Sequence, residues 1–157
     1  MECTQMSTPE FGRPADTMLI GALLRYPARA VQHRLIHELN RADFDDLRLP
    51  HMAVLSHPGP EGARPSVLAE RAGMSKQAMN QLLLSLERLG YIERQDAPGG
   101  GRARVVRLTD RGHAAWALLE ELLVDVEDEW REVLGEERFA QLKEILQQVW
   151  ESPLVRW

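Results

Sequence analysis

Apolar residues recur along this chain at spacings of three and four, the period of helices that pack by one face. Leu19, Leu23 and Tyr26 begin such a stripe after Asp16, whose side chain suits an N-cap. Pro27 interrupts it, either as a kink or as the first residue of a new helix. Val31, Leu35 and Leu39 then carry the stripe to about Asn40. The short apolar stretch from Pro50 to Ser56 predicts one small helix, and His57 to Gly62 predicts a loop by its Pro and Gly content. Ser66 is the expected cap of a helix over Val67–Ala72 that Gly73 ends, and Ser75 the cap of a second helix running to about Leu89. Gly90 stops that helix. Tyr91–Arg94 and Arg104–Leu108 read as two strands joined by a turn over Asp96–Gly101. Thr109 caps a long helix with the stripe Ala115, Leu118, Leu119, Leu122, Val126, Trp130 and Val133, which Gly135 breaks. Phe139, Leu142, Leu146, Val149 and Trp150 mark a last helix, ended by Ser152-Pro153.

The predicted fold is therefore mainly α, an α+β chain only through one small hairpin. A two-stranded hairpin is marginal alone, so it must lean on the helices before it. Residues 1–15, with Pro9, Gly12 and Pro14, read as a tail. Helices over 16–48 and 113–157 flank a central lobe over 49–112. The flanking helices carry more apolar stripe than so small a lobe can cover, which predicts that two copies pair through them.

Composition narrows the picture. The 157 residues are 44% hydrophobic and 27% charged, which excludes a wholly disordered chain. Cys3 is the only cysteine, so an intrachain disulfide framework and a paired-cysteine zinc site are excluded. No apolar run approaches the roughly 18 residues of a membrane span, and residues 1–15 lack a signal peptide's apolar core. A soluble, cytoplasmic protein with no membrane partner is expected. The net charge of −5 hides an asymmetry: −1 over residues 1–60, +3 over 61–112 and −7 over 113–157. The positive part coincides with the central lobe.

That lobe carries the candidate chemistry. Two short helices joined at Gly73, with Ala69 small enough for a close crossing, have the layout of a helix-turn-helix. Leu68, Ala78, Met79, Leu82 and Leu86 are its expected shared core. The second helix displays Lys76, Gln77, Asn80, Gln81 and Leu84 on its other face. Amides near the N-terminal half of such a helix suit base edges in a major groove. On its own this face is better explained by solvation. The hairpin changes the balance, because its Gly99-Gly100-Gly101 tip is followed by Arg102 and Arg104, two residues apart and so on one face of the strand. A helix-turn-helix followed by a basic, Gly-tipped ribbon is a winged helix, and arginines at such a tip suit a narrow minor groove.

Residues 66–112 resemble the MarR family of bacterial transcription regulators. The resemblance rests on Leu68-Ala69-Glu70-Arg71, Ser75-Lys76-Gln77-Ala78, the run Leu86 to Arg94, and Val106 to Gly112, all in the family's order. The flanking helices fit its dimerisation region. The resemblance implies a sequence-specific regulator, usually a repressor, that binds an inverted repeat in double-stranded DNA as a homodimer and is often released by a small-molecule effector. It implies DNA contacts by Ser66, Ser75, Lys76, Gln77, Asn80, Gln81, Arg102 and Arg104, with no cofactor and no metal. Two departures stand out. The wing tip is all glycine where the family mixes acidic and basic residues. Leu84 replaces a polar group and is open to a thymine methyl, a sugar or a contact within the dimer. The alternative is a dimeric winged-helix adaptor that binds protein, which would not need the arginines or the amide face.

Other constellations are weaker. His33 and His37 have a workable metal-ligand spacing, and His51, His57 and His113 could join them, but solvated or interface histidines explain the pair more simply. Cys3 has no neighbour to stabilise a thiolate, so a tail thiol is expected rather than a redox sensor. The acidic residues from Glu120 to Glu132 include no nucleophile or phosphate cradle. They read as the solvated face of a helix, and the chain is not expected to be an enzyme.

Overall fold

The structure, a computed structural model, describes residues 18–55, 62–96 and 104–152. Helix α1 (Ile20–Arg41) leads through a 3-10 turn (Leu49–His51) into the one-turn α2 (Met52–Leu55). Helices α3 (Pro65–Arg71) and α4 (Lys76–Arg88) follow, then the antiparallel strands β1 (Ile92–Asp96) and β2 (Arg104–Leu108). Two helices close the chain, α5 (Asp110–Leu134) and α6 (Glu136–Glu151). The order and the mainly α class are those the residue pattern predicts.

Local chemistry moves several boundaries. α1 begins at Ile20, with Leu19 extended before it, so Asp16 does not cap it; Asp16 itself lies outside the described residues. Pro27 falls inside α1 and neither ends it nor starts a new helix. Ser66 does not cap α3. Arg64 holds that place and Pro65 takes the first helical position, where its fixed φ suits the helix and its missing N–H costs nothing. Tyr91 stays out of β1, which begins at Ile92 and reaches Asp96. The caps at Ser75 and Thr109 form as expected, each hydroxyl accepting from the amide three residues on, Ala78 and Gly112, both at 3.1 Å.

One buried cluster joins the lobe to the flanking helices. Leu35 and Leu39 of α1, Leu68 of α3, Met79, Leu83 and Leu86 of α4, Val106 of β2 and Leu119 of α5 all belong to it. Leu83, absent from the expected core, is fully buried, whereas Ala78 and Leu82 are half-buried. Ala63 adds an unexpected rung to the wing, its N–H and C=O both bonded to Val106 at 3.0 and 2.8 Å. Gly62 makes that approach possible. Its φ is +79°, and a Cβ there would lie 2.6 Å from the Val106 carbonyl oxygen.

Tyr91 ties the lobe to α5. Its buried hydroxyl donates to Asp46 at 2.5 Å, and Asp46 also pairs with Arg111 at 3.0 Å. The Arg111 guanidinium lies 4.4 Å from the Tyr91 ring centroid and donates to the Leu89 carbonyl at 2.7 Å. Burial and the bond to Asp46 push the Tyr91 phenol well above its usual range. Burial alone would raise Asp46, but the Tyr91 and Arg111 bonds outweigh it and hold the carboxyl below its ordinary value. Tyr91→Phe is expected to cost about 1–2 kcal/mol in chemical denaturation, because Asp46 loses a donor in a partly buried place. An unchanged unfolding midpoint would mean the bond contributes nothing net.

Acidic residues on α5 do more than face solvent. Glu129 takes both terminal nitrogens of Arg34 on α1, and Glu127 holds Lys143 on α6 at 2.8 Å. The Arg34 bond holds Glu129 below its ordinary pKa. These exposed pairs set how α1 and α6 lie along α5 more than they stabilise it.

Candidate nucleic-acid interface

The two faces of α4 are chemically opposed. Met79, Leu83 and Leu86 are buried without remainder, while Lys76, Gln77, Asn80, Gln81 and Leu84 are exposed. The helical period puts Gln77, Asn80, Gln81 and Leu84 at i, i+3, i+4 and i+7, one continuous stripe. α3 crosses behind it on Leu68 and Ala69. The turn between them has Gly73 at φ +59° and the Met74 amide bonded to the Ala69 carbonyl at 2.9 Å. Five of the expected contacts therefore cluster: Ser75 at the cap, then Lys76, Gln77, Asn80 and Gln81. Ser66 is exposed on α3, and Arg104 opens β2 opposite Asp96. The Arg104 side chain, all of Arg102 and the glycine tip lie outside the described residues.

Behind α4 sits a buried histidine that the sequence pattern offered only as a possible companion to His33 and His37. His51 is 6% exposed. Its Nδ1 accepts from the Arg48 amide at 3.1 Å, and its Nε2 lies 3.2 Å from the Ser85 hydroxyl of α4. Burial, reinforced by the Arg48 charge, lowers its pKa. His33 and His37, by contrast, are exposed, beside Arg29 at 3.4 Å and Glu38 at 3.1 Å. Among the described residues, no group of three or more His, Cys, Asp or Glu is placed to hold a metal ion. Cys3 and His57 lie outside the described residues.

A cavity of about 650 Å³ opens between the flanking helices and the lobe. Ala28, Val31, Gln32 and Leu35 of α1 line one side, Leu49, Met52, Ala53 and Ala72 the floor, and Leu119 and Leu123 of α5 the other wall. Its volume lies in the small-molecule range, and among the described residues no charged side chain lines it. Sequence periodicity gives no sign of it, since each lining residue reads as ordinary helix stripe.

Residues 46–103, the span from Asp46 through α4 and the wing, match the MarR family. The central lobe has a winged-helix fold, and its sequence is similar to the MarR family. No curated protein sequence matches the chain. Among solved structures, a MarR family protein of Mycobacterium tuberculosis in complex with salicylic acid is 25% identical. That match covers 87% of this chain and 99% of that one, with a TM-score of 0.64. Wild-type MarR of E. coli in its apo form is 22% identical over 84% and 97% of the two chains, with a TM-score of 0.67. NadR in complex with 4-hydroxyphenylacetate is 22% identical over 88% and 97%, with a TM-score of 0.64. The MarR likeness thus extends in fold well beyond the matched segment, to the flanking helices. Among the described residues, no helix is long and apolar enough to cross a membrane.

Proposed function

We propose that this protein is a transcriptional repressor that binds an inverted repeat in double-stranded DNA as a homodimer and is released by a small molecule. The observation that carries the reading is the exposed polar stripe of α4, rigidly backed by Met79, Leu83 and Leu86 within the MarR-family segment. Asn80 and Gln81 each offer a donor and an acceptor, the pattern that adenine N6 and N7 complement. Lys76, next to the cap, suits a phosphate or a guanine edge. Arg102 would enter the minor groove, with Arg104 on the phosphates. An adaptor for protein is disfavoured by the same face, where Leu84 is the one large apolar side chain among five exposed positions.

Pairing through residues 16–48 and 113–157 is supported by what those helices leave uncovered. Leu19 just before α1, Ile20 and Leu23 on α1, and Ile145, Val149 and Trp150 on α6 are all exposed. Two structures of similar fold hold salicylic acid and 4-hydroxyphenylacetate. The described lining of the cavity is apolar apart from the Gln32 amide, which suits a largely apolar effector with one polar contact.

Selection of bound fragments from random DNA tests the reading. Two half-sites are expected with centres about one helical turn apart. On the selected site Asn80→Ala and Gln81→Ala should each cost about 1–3 kcal/mol and change the preferred bases. Lys76→Ala should weaken all duplexes alike and lower the salt slope by about one. Equal weakening of every sequence by the amide substitutions would remove α4 as the reader.

A further inference from the structure

His51 stands between two working parts of the molecule. The residues on either side of it in the 3-10 turn and α2, Leu49 and Met52, line the cavity, while its own ring reaches Ser85 on α4. The ring's chemistry is fixed by its partners. Nδ1 accepts the Arg48 N–H, so it carries no proton, and the single proton of the neutral ring resides on Nε2, where it is donated to the Ser85 Oγ. We propose that His51 is a positioning residue that couples the cavity wall to the DNA-reading helix, and that DNA is read only while this ring is neutral. The inference rests on α4 being the reader.

Protonation would turn Nδ1 from acceptor to donor, facing an N–H donor, and would place a charge in a site only 6% exposed. The bond to Arg48 breaks, the ring must leave its seat, and Ser85 loses its donor. Two charged groups act on the ring from its own segment, Arg48 against protonation and Asp46 in favour of it. From α4 the group that meets it is the uncharged Ser85 hydroxyl. A histidine held neutral in the fold contributes stability in full above its unfolded value of 6.5 and loses it as pH falls towards the folded value. The effect on DNA therefore has a definite sign. Protonation of His51 would weaken binding, because it unseats the ring that meets α4.

The test uses the full-length protein and its selected duplex, from about pH 8 down to about pH 5. Imidazole ¹⁵N resonances should show His51 as the Nε2–H tautomer at neutral pH. Affinity should fall in acid by up to about tenfold per pH unit while helical circular dichroism holds. His51→Gln, which keeps an amide donor and cannot titrate, should bind at neutral pH and lose the acid decline. Ser85→Ala should weaken the selected site at neutral pH, and it carries the test should the His51 variant not fold. If no duplex binds at neutral pH, α4 is not the reader and the DNA reading falls first. If duplex binds but affinity is flat or rises in acid, or the Gln variant keeps the decline, the role of His51 alone is overturned. A decline that tracks loss of helical signal also overturns it, as general unfolding.

Discussion

Gly112→Ala is expected to destabilise the protein by on the order of 3 kcal/mol, the cost of forcing an atom into a packed site. Ordinarily the exchange runs the other way, since alanine gains up to about 1 kcal/mol over glycine inside a helix. At Gly112, in the first turn of α5, an added Cβ would lie 2.0 Å from the Tyr91 carbonyl oxygen and 3.2 Å from the Leu108 Cβ. The obstacle is backbone, which cannot swing aside as a flexible side chain would. Relief would require α5 to lift from the Gly90-Tyr91 segment. That would strain the Thr109 hydroxyl bond to the Gly90 carbonyl and the Arg111 bond to Leu89. Gly21→Ala in the first turn of α1 is the matched control, with nothing within 4 Å of its new Cβ. It should be neutral or stabilising by a few tenths of a kcal/mol. In thermal unfolding the two variants should move the midpoint in opposite directions, Gly112→Ala downwards by on the order of 10 °C. Equal midpoints would mean that α5 does not sit on Tyr91 as described.

The double variant Leu23→Asp, Trp150→Asp is expected to yield a folded monomer whose affinity for a two-half-site duplex falls by about 10²-fold or more. Leu23 is 46% and Trp150 75% exposed in the single chain, so neither change opens a cavity in the core. In the proposed dimer the same positions would be buried, and a carboxylate there would lack a partner. A monomer engages one half-site at a time and loses the effective concentration that linkage provides. Its affinity for one isolated half-site should be nearly unchanged. Light scattering decides the first part and binding to one-site and two-site duplexes the second. A variant that stays dimeric would move the interface elsewhere on the chain.

The elements of the lobe were legible because each is written in local chemistry. Ser75 and Thr109 supply cap oxygens, Gly73, Gly90 and Gly135 supply positive φ where helices end, and the apolar period marks the buried side of α4. Where local signals competed, the reading slipped. Asp16 has the chemistry of a cap and does not serve as one for α1. Ser66 yielded its place because Pro65 begins α3 one residue earlier. The stripe on α6 was read correctly as apolar, but period alone does not distinguish a face packed within the chain from one left for a partner. Phe139 is buried, with Arg131 above its ring at 4.9 Å, whereas Val149 and Trp150 remain open.

The sequence by itself determined the helix order, the capped helix α4 with its amide stripe, the strand pair, and the likeness to the MarR family. All of these depend on residues within a turn or two of one another, where spacing translates directly into geometry. The tertiary structure alone decided what depends on distant segments meeting. It brought Asp46, Tyr91 and Arg111 into one network and made Gly112 irreplaceable by setting α5 on the Tyr91 backbone. It enclosed a cavity among residues from Ala28 to Leu123 and turned His51 from one histidine among five into the link between that cavity and α4. No local rule encodes such pairings. A side chain's neighbours across the fold are chosen by how whole helices pack, and the chemistry of a buried group follows from those neighbours.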